Sequence, residues 1–327
     1  MVHNERLTWL DTAKGICILL VVLGHSGSHW YDEIMSWFRM PLFFFLSGIL
    51  FKPVKTSLFT NFLGYKLVKM LIPYFAYGAL ITLVFHFHSI TEMYLMMQKV
   101  MIGGEFLQGP YGVFWFITVL LTTQILMGYI SRFNKVTQIM IIIILYFSSH
   151  LIALSNLSEI QLPWKLNAIG GALFYYSAGH YLKSYLRDNI SNLKTILPLA
   201  SLFITFTIYY LMFDKSFSIN LKTDNFNHII LDGVVPIISC TLICSLSYFI
   251  DKIKLFDFLK WLGRNSITIM YLHLPLNILL MNIWKTDYSD IIFLIYGVSF
   301  SLILGMFFKK FHLLENLFIS PQVTKQH

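Results

Sequence analysis

A chain of 327 residues that is 57% hydrophobic and 12% charged, with 30 Phe and 18 Tyr, departs from the roughly 45–50% apolar and about 25% charged composition of soluble domains. Its apolar residues run along the whole length, so lipid is the expected solvent and a soluble globular domain is excluded. The formal charge of +8 would suit a nucleic-acid partner in a soluble protein, but here the placement of the cations around membrane spans accounts for it, and no nucleic acid is expected.

A bilayer core of about 30 Å needs about 20 mostly apolar residues per helix. Ten segments qualify: 11–28, 34–51, 67–88, 111–130, 136–154, 167–182, 195–213, 228–250, 265–284 and 290–310. The expectation is an all-α, polytopic membrane bundle of about ten transmembrane helices, one domain over 1–327. The stretch 90–102 is too short and too polar to span, and its Met/Leu spacing fits a helix at the membrane interface. The first apolar run lacks a small-residue cleavage site and is read as a retained helix. Cys17, Cys240 and Cys244 lie inside apolar runs without a paired framework or metal-ligand spacing, so they read as small packing residues.

Ten spans place both termini on one side of the membrane. Eighteen of the 24 Lys and Arg residues fall on that side, five fall opposite (Lys99, Lys165, Lys215, Lys222 and Lys285), and Arg39 lies within a span. By the positive-inside rule both termini are expected in the cytoplasm and the protein in the cell membrane.

The first span reads "LDTAKGICILLVVLGH" and carries Lys14 and His25 eleven residues apart. On an ideal helix their headings differ by about 20° and their levels by about 16 Å. A cation and an imidazole on one stripe are costly in lipid, so the stripe should face the bundle interior or a water-filled cavity. Snorkelling to the headgroups explains Lys14 more simply, and a satisfied structural histidine explains His25. Thr8 and Asp11 have capping-box spacing, so Asp11 reads equally well as helix-start chemistry, with an i,i+3 pair to Lys14, and as a functional carboxylate.

The second span carries Arg39 two residues before Pro41, then Ser47 and Gly48 in "WFRMPLFFFLSGILF". Close helix approach explains Ser47 and Gly48, whereas an intramembrane arginine is harder to dismiss. Lys66 and Lys69 stand where the third span enters, and positive-inside anchoring accounts for them adequately. Trp115 and Phe116 suit an interfacial aromatic belt. In "LGRNSITIMYLHLPLN" Asn265 or Ser266 can cap the ninth span, and His273 lies deep within it beside Tyr271. Asp232 reads as a polar group satisfied within the fold. His86 and His88 point to different sides of a helix, which argues against a metal clip, and no metal is expected.

At these residues the chain resembles the acyltransferase 3 family of multi-span membrane O-acyltransferases, including the branch described as fucose 4-O-acetylase-like. The resemblance covers nearly the whole chain. A basic residue separated by ten residues from a histidine is matched by Lys14 and His25, and Phe-Phe-x-Ser-Gly by Phe44 to Gly48. A basic pair on the third helix is matched by Lys66 and Lys69, and a late Tyr-Leu-x-His element by Tyr271, Leu272 and His273. Two departures stand out. Lysines replace the arginines of the common Arg-x-x-Arg pair, keeping charge but losing bidentate phosphate recognition. Arg39 stands where related chains often have histidine before Met-Pro-Leu.

The resemblance implies acetyl-CoA as the acyl donor, with no permanently bound cofactor, and a carbohydrate hydroxyl on a lipid-linked or surface glycan as acceptor. Lys14, Lys66 and Lys69 are then expected to hold the donor phosphates. His25 is expected to act as base or acyl carrier with Asp11 in support. Arg39, Ser47, Trp115, Tyr271 and His273 are candidates for orienting the sugar or stabilising an oxyanion. The rival expectation is an exporter of a polysaccharide or small solute, since buried His, Arg and Asp also suit a translocation path; paired broken helices and a two-half repeat are not evident. A weaker rival is a membrane sensor or scaffold whose polar groups fix helix packing.

Overall fold

The computed structural model describes residues 7–27, 30–155, 160–213, 217–226, 228–285 and 289–322. These form thirteen α-helices: α1 (Thr8–Leu23), α2 (Trp30–Ile49), α3 (Phe59–His86), α4 (Ile90–Ile102), α5 (Phe114–Ile130), α6 (Lys135–Ala153), α7 (Ile169–Asn189), α8 (Leu193–Met212), α9 (Ile229–Asp251), α10 (Asp257–Arg264), α11 (Ser266–Trp284), α12 (Asp290–Lys310) and α13 (His312–Phe318). A two-residue ribbon, β1 (Ile219–Asn220) with β2 (Asn225–Phe226), follows α8. Ten of the helices coincide with the ten expected spans, and the 90–102 stretch is α4. Seven are long and apolar enough to cross a membrane: α3, α5, α6, α8, α9, α11 and α12. The protein is an integral membrane helical bundle. Leu197, Leu202 and Ile204 of α8 are each more than half exposed, as lipid-facing residues are.

The chain divides into two compact units, each assembled from separate stretches. The first comprises Met1–Phe51, Tyr175–Asn220 and Phe226–Ser266. Its helices meet through glycines. A Cβ on Gly15 would collide with the Leu259 carbonyl, and one on Gly263 with the Asp11 carbonyl, so α1 and α10 touch backbone to backbone. Gly48 meets the Tyr176 carbonyl and Gly179 meets the Phe45 carbonyl, which joins α2 to α7 in the same way. Gly48 thus serves close helix approach, as its place beside Ser47 suggested. Trp37 fills the space between helices, with edge-on contacts to Phe206, Tyr210 and Phe217 at ring separations of 4.9 to 5.4 Å.

The second unit comprises Lys52–Phe174, Leu221–Asn225 and Ile267–His327. Aromatic rings fill it. Tyr77 of α3 stacks on Tyr271 of α11 at 4.3 Å, and Phe114 of α5 lies edge-on to Tyr271 at 5.1 Å. The next two residues, Trp115 and Phe116, are buried, so the interfacial belt expected of them is not what they form. The apolar start of α5 is packed by tertiary contacts. Helix α4 folds back along α3. Tyr74 Oη donates to the Val100 carbonyl at 2.8 Å, and His86 Nδ1 meets Glu92 Oε2 at 3.2 Å across the corner.

Three loops of this unit gather on one buried cation. Lys165, 1% exposed, pairs with Glu105 and donates to Asp224 Oδ2 at 2.6 Å, and Asn167 Nδ2 donates to the same oxygen at 3.0 Å. Trp164, Lys165 and Asp224 all have φ between 53° and 59°, a left-handed backbone that non-glycine residues rarely adopt.

Candidate functional site

The residues singled out in the sequence divide between the units. His25, Asp11, Lys14, Arg39 and Ser47 belong to the first; Lys66, Lys69, Trp115, Tyr271 and His273 belong to the second.

Within the first unit, α1 carries polar groups at both ends. At its N-terminal end the buried Asp11 accepts a hydrogen bond from Arg264 Nε at 3.2 Å, and Lys14 stands half-buried in the following turn. The capping-box reading is corrected here. The N-cap position is Leu7 without a side-chain cap, and Thr8, already helical, donates instead to Asp251 Oδ2 at 2.6 Å. Thr12 adds a bond to Asp251 Oδ1 at 3.1 Å, and Lys260 of α10 pairs with Asp251 at 3.1 Å and with Asp257 at 2.8 Å. The Asp257 and Asp251 carboxylates hold the Lys260 ammonium above its ordinary pKa. A long-range pairing, unreadable from local spacing, replaces the local cap.

At its other end α1 stops at Leu23. Gly24 closes the helix, with its N–H on the Leu20 carbonyl at 3.0 Å, and His25 follows in the turn, its N–H on the Val22 carbonyl at 3.1 Å. His25 is exposed. The expectation that His25 continues the Lys14 stripe is therefore corrected: the helix ends at Leu23, before His25, and His25 lies exposed in the turn that follows. Beside Gly24 packs Arg39. Its guanidinium lies so close against Gly24 that a Cβ there would collide with Nη1, and Nη1 reaches Asp32 Oδ1 at 3.5 Å. The Arg39 carbonyl accepts from Cys17 Sγ at 3.2 Å, fixing α2 against α1 at this level. A cation at the C-terminal end of a helix is also favoured by the helix dipole. Ser47, about two turns further along α2, is half-buried.

In the second unit Lys66 is half-buried and Lys69 exposed, one turn apart on α3; Lys69 Nζ donates to Tyr65 Oη at 2.9 Å. Tyr271 is fully packed in the aromatic stack. His273 is completely buried, with Nδ1 on the Ile269 carbonyl at 2.8 Å, and its own carbonyl accepts from Asn277 Nδ2 at 2.8 Å. Asn265 closes α10, its Nδ2 donating to the Trp261 carbonyl at 2.8 Å, while α11 begins at Ser266. Asp232 Oδ2 accepts from the His228 N–H at 3.0 Å at the start of α9. Arg264 is the residue at this site that sequence reasoning missed. Its only local signal is position, two residues before the Ser266 that opens α11.

No solved structure matches the chain. Nodulation protein NolL of Sinorhizobium fredii (strain NBRC 101917 / NGR234) is 30% identical over 154 residues, covering 41% of this chain and 39% of that protein. Nodulation protein NolL of Mesorhizobium japonicum (strain LMG 29417 / CECT 9101 / MAFF 303099) is 28% identical over 152 residues, covering 41% and 38%. The chain spans well under half the length of these curated relatives. The sequence model of one family, described as an acyltransferase domain, matches residues 7–310, nearly the whole helical bundle, and the chain therefore belongs to the acyltransferase 3 family.

Proposed function

We propose that this protein is a membrane O-acetyltransferase that moves an acetyl group from cytoplasmic acetyl-CoA to a hydroxyl of a lipid-linked or cell-surface carbohydrate. The observation that carries the reading is the polarity of α1 within an acyltransferase family: cationic groups at the end expected to face the cytoplasm, and at the other an exposed His25 that follows Gly24, against which the Arg39 guanidinium packs.

In this reading His25 is the base. Histidine changes charge near neutral pH, and an exposed ring is reachable by an acceptor. The imidazole takes the proton of the sugar hydroxyl as its oxygen attacks the thioester carbonyl. The tetrahedral oxyanion so formed lies within reach of the Arg39 guanidinium, which stabilises it electrostatically. Collapse expels the coenzyme thiolate, which takes the proton back from the imidazolium and leaves the acetyl ester. Lys14 attracts the donor phosphates as a point charge. Both termini lie in the cytoplasm, and the protein resides in the cell membrane.

Mass spectrometry of surface glycan from cells with and without the chain tests this reading. Loss of one acetyl mass from an otherwise normal polymer is the expected result. Loss of the polymer itself would overturn the enzyme reading in favour of export.

A further inference from the structure

Arg264 is placed by a backbone-to-backbone helix contact in the first unit. Gly263 lies on the Asp11 carbonyl and against the Gly15 backbone nitrogen, leaving no room for a side chain, so the next residue stands beside the α1 turn that carries Lys14. Arg264 Nε donates to Asp11 Oδ2 at 3.2 Å, and the two side chains differ sharply in exposure, 48% for Arg264 and 9% for Asp11. Neither terminal amino group of the guanidinium makes a hydrogen bond among the described residues. A buried carboxylate thus grips the inner edge of a guanidinium whose outer fork faces solvent.

An ion pair with one member half exposed contributes little to stability, about 0–1 kcal/mol, and the glycine contact already fixes α10 on α1. Holding α10 in place therefore does not explain the arrangement. A planar fork held at Nε with both Nη groups presented outward is the geometry that binds phosphate bidentately. The basic pair on α3 consists of lysines, Lys66 and Lys69, which provide charge without a fork. Lys260 is committed to Asp251 and Asp257.

We infer that Arg264 binds a phosphate of the coenzyme A donor through its two terminal amino groups, with Asp11 as the residue that positions the guanidinium. This rests on the acetyl-CoA reading above and adds to it a residue and a role for Asp11 other than proton transfer.

Isothermal titration of the full chain in phosphatidylcholine nanodiscs, with coenzyme A and with pantetheine as probes, tests the inference. Arg264→Ala should weaken coenzyme A binding by about tenfold to a hundredfold, the loss of a hydrogen-bonded charge contact, and leave pantetheine affinity unchanged. Arg264→Lys, which keeps the charge, should lose part of the affinity and decides the matter if the alanine variant fails to fold. Coenzyme A affinity equal in wild type and both variants would overturn the inference while leaving the donor reading intact. Equal losses for coenzyme A and pantetheine would also overturn it, by showing a structural role. A wild-type chain indifferent to coenzyme A would overturn both.

Discussion

Two buried carboxylate–cation sites, one in each unit, are built to opposite plans. At the Lys165 site the side chain is 1% exposed and paired with Glu105 and Asp224, Asp224 being held in turn by the Asn167 amide, and the backbone on both sides of the Lys165–Asp224 pair is held in left-handed conformations. At the Arg264 site the carboxylate is buried, but the cation stays half in water with its outer donors uncommitted. The first is a closed knot tying three loops. The second is an open hand. A charge sealed by its partners has no capacity left for a ligand, whereas one held along a single edge does, so burial alone does not identify a functional charge in this protein.

The comparison can be broken first at the closed site. Lys165→Met leaves Glu105 and Asp224 facing each other in a buried corner, and removing one partner of a buried pair costs about 3–5 kcal/mol. The expected outcome is a large fall in thermal midpoint or failure to accumulate in the membrane, measured by thermal denaturation in detergent. Unchanged stability would show that the knot is not structural.

Next in size is the glycine contact that sets the open site. Gly263→Ala drives a methyl into the Asp11 carbonyl, which is backbone and cannot swing aside. Overpacking of this kind costs about 1–3 kcal/mol. The variant should lose stability and coenzyme A affinity together, because displacing α10 displaces Arg264.

Gly24→Ala sharpens the contrast. Here the methyl meets a flexible arginine side chain, so stability should change by less than about 1 kcal/mol as Arg39 moves away from the end of α1. Acetyl transfer should nevertheless fall by at least tenfold, assayed as acetyl incorporation into glycan. Full activity would remove Arg39 from the mechanism.

The smallest effect concerns Lys260. Its folded-state pKa is raised by Asp257 and Asp251, so its contribution to stability is complete below the unfolded lysine value of about 10.4 and is lost as pH rises through the folded value. Lys260→Met should flatten that alkaline decline while costing below about 1 kcal/mol at neutral pH. A steep alkaline decline retained in the variant would assign it to other groups.

The spans were legible because hydropathy over about 20 residues is a local property, and the ten expected segments coincide with ten helices. Helix ends were less legible: α3 begins at Phe59 where the span was expected at 67, since its first turns, with Asn61 and Lys66, are more polar than the run that follows. Helix α10 went unseen. It has eight residues, among them Asp257, Lys260 and Arg264, and its apolar side becomes evident only against α1. The site was half legible. Sequence pattern singled out Asp11 and His25, but the partner of Asp11 is 253 residues away, and Thr8 left its local cap for an aspartate 243 residues away. Burial in a bundle depends on which helix lies opposite, so neither the packing of Trp115 nor the exposure of His25 was readable from local pattern.

The central claim is that His25 carries acetyl transfer. Inverted membrane vesicles containing either the wild-type chain or His25→Ala, supplied with radiolabelled acetyl-CoA on the cytoplasmic face, test it most directly once equal insertion and equal thermal midpoints are confirmed. Label in extracted carbohydrate should appear with the wild type and stay at the level of chain-free vesicles with the variant. Incorporation by His25→Ala at the wild-type rate would contradict the account.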